Sequence, residues 1–273
     1  EQYLVAADLD GRRDRARIRL AACVDGDDVV AAFGLDIVER RTVTWDTDRD
    51  DLIETVERRL GAIRLGHHVE RPQPGDDVTA ALMERVRATG LGVLRWTPAA
   101  TSLRERVEFL HRSAGEPWPD WSTTTLTATL DEWLAPYVPG ATGRADLERL
   151  DLVMVLRSQL PWDVGSELDE TAPPSLELPT GRSVPIDYAG DQPDAFVRVQ
   201  DLFGVTEHPT AGGVPVRLHL LSPADRPIQV TADLPGFWAG SWADVKKDMA
   251  GRYPKHRWPD DPANADPKRM KDR

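Results

Sequence analysis

The opening stretch of the chain alternates on a short period. Tyr3-Leu4-Val5-Ala6-Ala7 and Ala16-Arg17-Ile18-Arg19-Leu20 flank an Asp10-Gly11 turn, which is the pattern of a β-hairpin. Asp27 to Phe33 predicts a short helix stopped by Gly34. Ile37-Val38 through Val43-Thr44-Trp45 is β-rich, and Leu52 to Leu65 alternates loosely after an acidic turn between Asp46 and Asp51. A small antiparallel barrel is the natural closure for such strands, so residues 1–72 are expected to form an OB-like β module whose first strand lies upstream of Glu1.

Pro72-Gln73-Pro74-Gly75 breaks the pattern, and the period then lengthens to that of a helix. Asp76 and Asp77 open a helix carrying Val78, Leu82, Met83 and Val86, stopped by Gly90. Ser102-Leu103-Arg104-Glu105 reads as a capping box leading into Val107 and Leu110. Leu126, Leu130, Trp133 and Leu134 make one buried stripe, and Leu147, Leu150 and Met154 another, ending at Pro161. Residues 76–165 are thus a helical middle segment with these side chains in its core.

Strand patterning returns after Pro173-Pro174. Leu176-Glu177-Leu178 and Val184-Pro185-Ile186 flank a Pro179-Thr180-Gly181 turn, and Phe196 to Val199 is a further strand. Val214, Val216, Leu218 and Leu220 alternate before a turn at Ser222–Arg226 and a strand through Ile228 and Val230. Ser241 and Asp244 form an S-x-x-D capping box, after which Trp242, Val245 and Met249 line one helix face. The expected fold class is α+β, with 166–262 a small β unit closed by a terminal helix and 263–273 a disordered tail.

Composition narrows the function classes. At 40% hydrophobic and 29% charged, the 273 residues belong to a folded chain with a sizeable core. The longest apolar run, around Leu152–Leu156, is far too short to span a membrane, and no charged-then-apolar leader precedes it. The chain therefore reads as a piece of a longer, cytoplasmic protein. One cysteine, Cys23, excludes an internal disulfide and is most simply a small core residue. The net charge of −12 argues against a general nucleic-acid coat. The charge is uneven, however: from Ser241 onward nine Lys/Arg face six Asp/Glu, and every lysine lies at or after Lys246. No G-x-x-x-x-G-K-[ST] loop is present, so the chain has no Walker A nucleotide site.

Candidate chemistry concentrates near the end of the sequence. The run Gly251-Arg252-Tyr253-Pro254-Lys255-His256-Arg257-Trp258-Pro259 interleaves basic and aromatic side chains on a proline-stiffened loop. Charge for phosphates and flat rings for bases is what single-stranded RNA binding uses. The competing reading has Tyr253 and Trp258 plugging the helix onto the β unit while the basic groups pair with nearby acids. A protein partner is the third. Exposure of the rings and free cations decides among them. Arg15, Arg17 and Arg19 on the first hairpin are a second, weaker RNA contact, though Asp8, Asp10 and Asp14 lie among them. His67, His68 and Glu70 make a poor metal set, because adjacent strand residues point to opposite faces. Nothing in the spacing of Asp187, Tyr188 and His219 demands an acid–base role.

The terminal run, with Trp258-Pro259 and Asp261-Pro262, resembles the closing signature of the bacterial HrpB-type DEAH-box ATP-dependent RNA helicases. Leu220-Leu221-Ser222-Pro223-Ala224 with Arg226-Pro227, Asp233-Leu234 with Phe237-Trp238, Gln200-Asp201-Leu202-Phe203-Gly204, Leu176-Glu177-Leu178-Pro179, and the opening Leu4-Val5-Ala6-Ala7 with Leu9-Asp10-Gly11 are similar in order and spacing. Between Thr97 and Gly143 the likeness is one of pattern. The resemblance implies a parent with two RecA-like motor domains, a winged helix, a helical bundle, an OB-like barrel and a family-specific C-terminal domain. ATP, magnesium, the DEAH box and the P-loop belong to the motors. Asp131-Glu132 and Asp169-Glu170 are the chain's Asp-Glu pairs, and neither continues as Ala-His. The expectation is an accessory end of a helicase, with no catalytic residue, cofactor or metal of its own. Its partners would be single-stranded RNA, the helicase's own motor domains, or another protein.

Overall fold

The computed structural model describes residues 2–10 and 16–267, in an α+β architecture. The chain forms two compact units that are interleaved in sequence. One takes residues up to 93 together with 138–149; the other takes 94–137 together with those described from 150 onward.

In the first unit, β1 (Gln2–Leu9) and β2 (Ile18–Asp25) pair as an antiparallel hairpin, and α1 (Gly26–Phe33) follows. β3 (Ile37–Asp46), β4 (Asp51–Leu60) and β5 (Ile63–Glu70) make a three-stranded antiparallel sheet. Every second residue of β4, from Leu52 through Glu54 to Val56, is buried, as expected of a half-covered central strand. The cover is α2 (Asp76–Thr89), which packs against β3 and β4 and buries Val78, Leu82, Met83 and Val86. Asp76 and Asp77 sit in its first turn, where negative charge suits the helix dipole, but Gly75 holds the cap position and no side chain caps the helix.

Among the described residues no backbone ladder joins the hairpin to the three-stranded sheet, so the expected barrel is not closed here. Tyr3 does reach across, its hydroxyl donating to the Leu65 carbonyl at 2.7 Å. Leu4, Val5, Leu9, Ile18 and Leu20 are consequently exposed, and so is Cys23, which corrects its expected place in a core. The turn at Gly11 lies outside the described residues.

The acidic turn between β3 and β4 has a partner far along the chain. Asp51 Oδ1 accepts from the Arg144 backbone N–H at 2.7 Å, capping a short helix over Arg144–Glu148, and Asp50 pairs with the Arg144 guanidinium. Gly143 makes this approach possible, because a Cβ there would overlap the Asp51 carboxylate.

The second unit opens with α3 (Pro98–Ala114). It starts at the Thr97 cap, whose hydroxyl accepts from Ala100 N at 3.2 Å with Pro98 at the first helical position. The capping box at Ser102 is therefore not used; it lies inside the helix. The predicted stripe through Trp133 is split into α4 (Thr123–Ala128) and α5 (Leu130–Trp133), its four residues still buried. The Trp133 indole N–H donates to the Leu126 carbonyl at 2.8 Å and ties the pieces together.

The next stripe is also two helices, α6 being the Arg144–Glu148 helix and α7 covering Leu152–Arg157. Asp151 restarts the helix by accepting from Val153 N and Met154 N, which shifts its phase and leaves Met154 exposed rather than in the core. After α8 (Trp162–Thr171) the chain enters β6 (Ser175–Glu177), β7 (Ser183–Asp187) and β8 (Asp194–Arg198). A small ladder of β9 (Thr210–Ala211) with β10 (Val214–Pro215) precedes β11 (Arg217–Leu221) and β12 (Pro227–Thr231). The main sheet has the order β12-β11-β8-β7-β6, with β8 and β11 parallel and the other neighbours antiparallel. Ala195, Val197, Leu218 and Leu220 fill its inner face and are wholly buried.

Candidate nucleic-acid interface

The terminal signature is built on α9 (Leu234–Ala239) and α10 (Trp242–Arg252). Asp233 caps α9, its carboxylate accepting from Gly236 N at 2.9 Å. Ser241 occupies the cap position of α10 in helical conformation and makes no side-chain cap; its hydroxyl accepts from Gln229 Nε2 at 3.4 Å, so the predicted capping box does not form. What holds α10 is Trp242, 2% exposed. Its ring meets Trp238 at 5.4 Å, Phe203 at 5.6 Å, Trp258 at 6.1 Å and Phe237 at 6.2 Å between centroids. Its indole N–H donates to the Pro259 carbonyl at 3.0 Å, fastening the signature loop from below.

The loop leaves α10 at Tyr253, whose N–H donates to the Met249 carbonyl at 2.7 Å. Trp258 Nε1 donates to the Tyr253 carbonyl at 3.1 Å, and Tyr253 stands edge-on to His256 with centroids 6.1 Å apart. Both Tyr253 and Trp258 are half-buried, and so is His256. The cations lie outside. Arg252 is exposed and pairs with Asp248 at 3.1 Å; Lys255 is exposed and makes no ion pair among the described residues. Arg257 is exposed, donating to the Asp266 carbonyl at 2.9 Å. Lys246 pairs with Asp260. Pro262, the last residue of the expected domain, is buried with its carbonyl accepting from Gly204 N at 2.9 Å, and Ala265, in the expected tail, is buried too.

The loop thus separates the two halves of the predicted chemistry, with rings turned into the fold and cations turned out. Arg17 and Arg19 are exposed on the first unit's hairpin, and Arg15 lies outside the described residues. The imagined acid–base set is not assembled. His219 binds Asp194 at 2.7 Å, while the Tyr188 hydroxyl donates to the Pro173 carbonyl at 2.7 Å and its acidity is suppressed by burial.

Sequence reasoning missed the outer face of the C-terminal sheet. Phe196 on β8 is 56% exposed and stacks on His219 of β11, with centroids 4.3 Å and planes 17° apart. His219 is held by Asp194, which also takes both prongs of Arg217 at 2.5 Å. At the other end of β8, Arg198 makes a two-pronged pair with Asp225, both contacts 2.7 Å. The signal was present as alternation at 194, 196, 198 and 217, 219, 221, but only the parallel pairing brings the two sets side by side.

The hydrogen bonds from Arg217, followed by those from His219, hold the Asp194 carboxyl below its ordinary pKa. A depressed carboxyl contributes stability above its unfolded pKa and loses it as pH falls through the folded value. Asp194→Asn is therefore expected to be less stable than the parent at neutral pH, with the difference closing below about pH 4. Urea unfolding of both proteins at pH 7 and pH 2.5 checks this; a gap that stays constant across that range refutes it.

Residues 133–262 match the HrpB_C family, described as the ATP-dependent helicase C-terminal domain. The ATP-dependent RNA helicase HrpB of Escherichia coli strain K12 is 38% identical over 258 residues, which is 93% of this chain and 32% of that protein. A crystal structure of the E. coli DExH-box NTPase HrpB superposes with a TM-score of 0.72 at 37% identity, covering 98% of this chain and 34% of that one. A second, of the E. coli DEAH/RHA helicase HrpB, gives 0.62 at 34% identity over 82% of this chain and 29% of that one. The chain thus spans about a third of the length of these relatives. No helix among the described residues is long and apolar enough to cross a membrane. With residues 133–262 matching that domain and 93% of the chain aligning with the E. coli helicase, this chain carries the C-terminal domain of the HrpB-type ATP-dependent helicases.

Proposed function

We propose that the chain is the accessory C-terminal part of a cytoplasmic ATP-dependent RNA helicase and that it grips single-stranded RNA through the signature loop. The observation that carries this is the outward set of Arg252, Lys255 and Arg257 on a loop pinned from beneath by Trp242 and Trp258. A fixed loop presents its cations without paying to order them, and phosphate contacts are where non-specific affinity comes from. In this reading 166–262 is the contact domain, 76–165 a helical segment and 1–72 an OB-like module. ATP and magnesium serve motor domains elsewhere in the helicase. The residues present here do not fit that nucleotide: the sequence has no phosphate loop, and Lys246, the first lysine, is engaged by Asp260.

The test is a titration of fluorescein-labelled single-stranded RNA from low to physiological salt. Arg252→Ala/Lys255→Ala/Arg257→Ala is expected to lower the log–log salt slope by about 2, at roughly 0.7 per lost phosphate contact. Absence of binding by the unaltered chain at low salt refutes the reading.

A second reading has its own support. Tyr253 and Trp258 are half-buried, and the Trp258 indole N–H is spent inside the loop, which suits packing better than base stacking. On that reading the domain docks a protein or the helicase's own motors, and RNA is not touched.

A further inference from the structure

We infer that the outer face of the C-terminal sheet is a base-stacking site for single-stranded RNA, centred on Phe196 and His219. The inference rests on the RNA-contact reading above and supplies the aromatic half that the signature loop turns inward.

The register places the residues in rows. Phe196 pairs with His219 across the parallel ladder, and His219 pairs with Val230 across the antiparallel one. Val230 is 50% exposed, so a row of phenyl ring, imidazole and aliphatic side chain crosses three strands, with His219 26% exposed at its middle. The rings are preorganised. Phe196 lies against His219, His219 against Asp194, and Asp194 in the fork of Arg217, while the strands beneath are anchored by wholly buried neighbours. An aromatic fixed on a sheet gives up little side-chain freedom when a base stacks on it. An isolated apolar patch would need no such hydrogen-bonded scaffold.

Charge and continuity favour RNA over a protein as the occupant. Arg217 and Arg198 stand on either side of the row, one at each end of the paired strands. The carboxylates nearest them, Asp194 and Asp225, are each claimed by an arginine fork. Asp187, opposite Asp194 on β7, keeps that end acidic, so the phosphates run toward the Arg198 end. That end carries Arg226 and Arg182, the latter paired with Asp201 at 3.0 Å, and adjoins the signature loop. Gln200 Nε2 donates to the Arg257 carbonyl at 3.3 Å, and the Ser222 hydroxyl lies 3.4 Å from that of Tyr253. Cations for phosphates and rings for bases are thus neighbours within one unit, which is the pairing that single-strand binding needs.

The experiment uses the full 273-residue chain and a single-stranded RNA carrying one 2-aminopurine, whose fluorescence falls when it stacks. Phe196→Ala is expected to weaken binding about tenfold and abolish the quench while leaving the salt slope unchanged. Phe196→Tyr restores both. Phe196→Leu keeps apolar bulk without a ring and behaves like alanine, which separates stacking from folding damage. The triple loop variant does the reverse, changing the slope and keeping the quench. Binding by Phe196→Ala and Phe196→Leu within twofold of the parent overturns the inference, leaves the loop reading standing, and gives the sheet face to a protein. Failure of the parent chain itself to bind RNA overturns both.

Discussion

Replacing Trp242 with alanine is expected to destabilise the second compact unit by about 3–5 kcal/mol, the usual result of emptying a buried aromatic site. The indole is 2% exposed and has four aromatic neighbours within 6.2 Å, two of them, Trp238 and Trp258, themselves indoles. Neither indole neighbour can fill that volume without leaving its own hydrogen bond: Trp238 Nε1 is committed to the Val205 carbonyl and Trp258 Nε1 to that of Tyr253. The melting temperature should fall by about 6–20 °C, at roughly 2–4 °C per kcal/mol for a unit of this size. Trp242→Phe isolates the polar part. It keeps a ring but frees the Pro259 carbonyl, which is half-buried, so about 1 kcal/mol is expected. If alanine costs under 1 kcal/mol in urea unfolding, the aromatic cluster is not what holds the signature loop.

The second large effect is at Arg106, 4% exposed on α3. Its guanidinium donates to the Ala172 carbonyl at 2.5 Å, to the Leu168 carbonyl at 3.1 Å and to Asp169 at 2.5 Å, closing the C-terminal end of α8. The Leu168 carbonyl also accepts from Ala172 N at 2.9 Å, so the buried Ala172 carbonyl is the one that depends on Arg106, and leaving it unpaired is costly. Arg106→Met, which keeps most of the bulk and loses every donor, should cost about 3 kcal/mol. The ion pair is the lesser part, because the Asp169 side chain is 64% exposed and solvent screens it. Asp169→Asn should accordingly stay within about 1 kcal/mol of the parent. Equal losses in the two variants would mean that the charge, not the capped carbonyls, is what Arg106 contributes.

These two residues also show what could be read from the sequence. Trp242 was legible, since Trp242, Val245 and Met249 repeat at helical spacing, and α10 starts where expected and runs on to Arg252. The α2 stripe was legible for the same reason, as was the β11–β12 hairpin around its Ser222–Arg226 turn. Arg106 was not. Nothing in a charged residue's sequence neighbours says that its partners lie beyond residue 160 on another helix. One helix start misled for a related reason: Ser102 carries a cap pattern but Thr97-Pro98 set α3, whereas Ser241 does hold the cap position of α10 without its side chain making the cap.

The candidate site was half legible. The signature's residue types announced cations and rings, yet which way each faces depends on Trp242 and Pro259, and that is tertiary. The Phe196–His219 stack requires a parallel pairing, and the connection from Val199 to Val216 carries no periodic pattern that would reveal it.

The interleaving of the two compact units has a consequence for biogenesis. Unit one lacks its capped helix until Arg149 has been made, so its strands wait while residues 94–137, which belong elsewhere, are synthesised. At the usual pace of about 5–20 residues per second, that interval is about 3–11 s after residue 93 appears. Through it Leu4, Val5, Leu9, Ile18 and Leu20 hang on a hairpin that even the finished unit leaves exposed. The nascent chain therefore offers an apolar ribbon well before either of these two units can close, and a message broken anywhere before residue 149 leaves both of them incomplete.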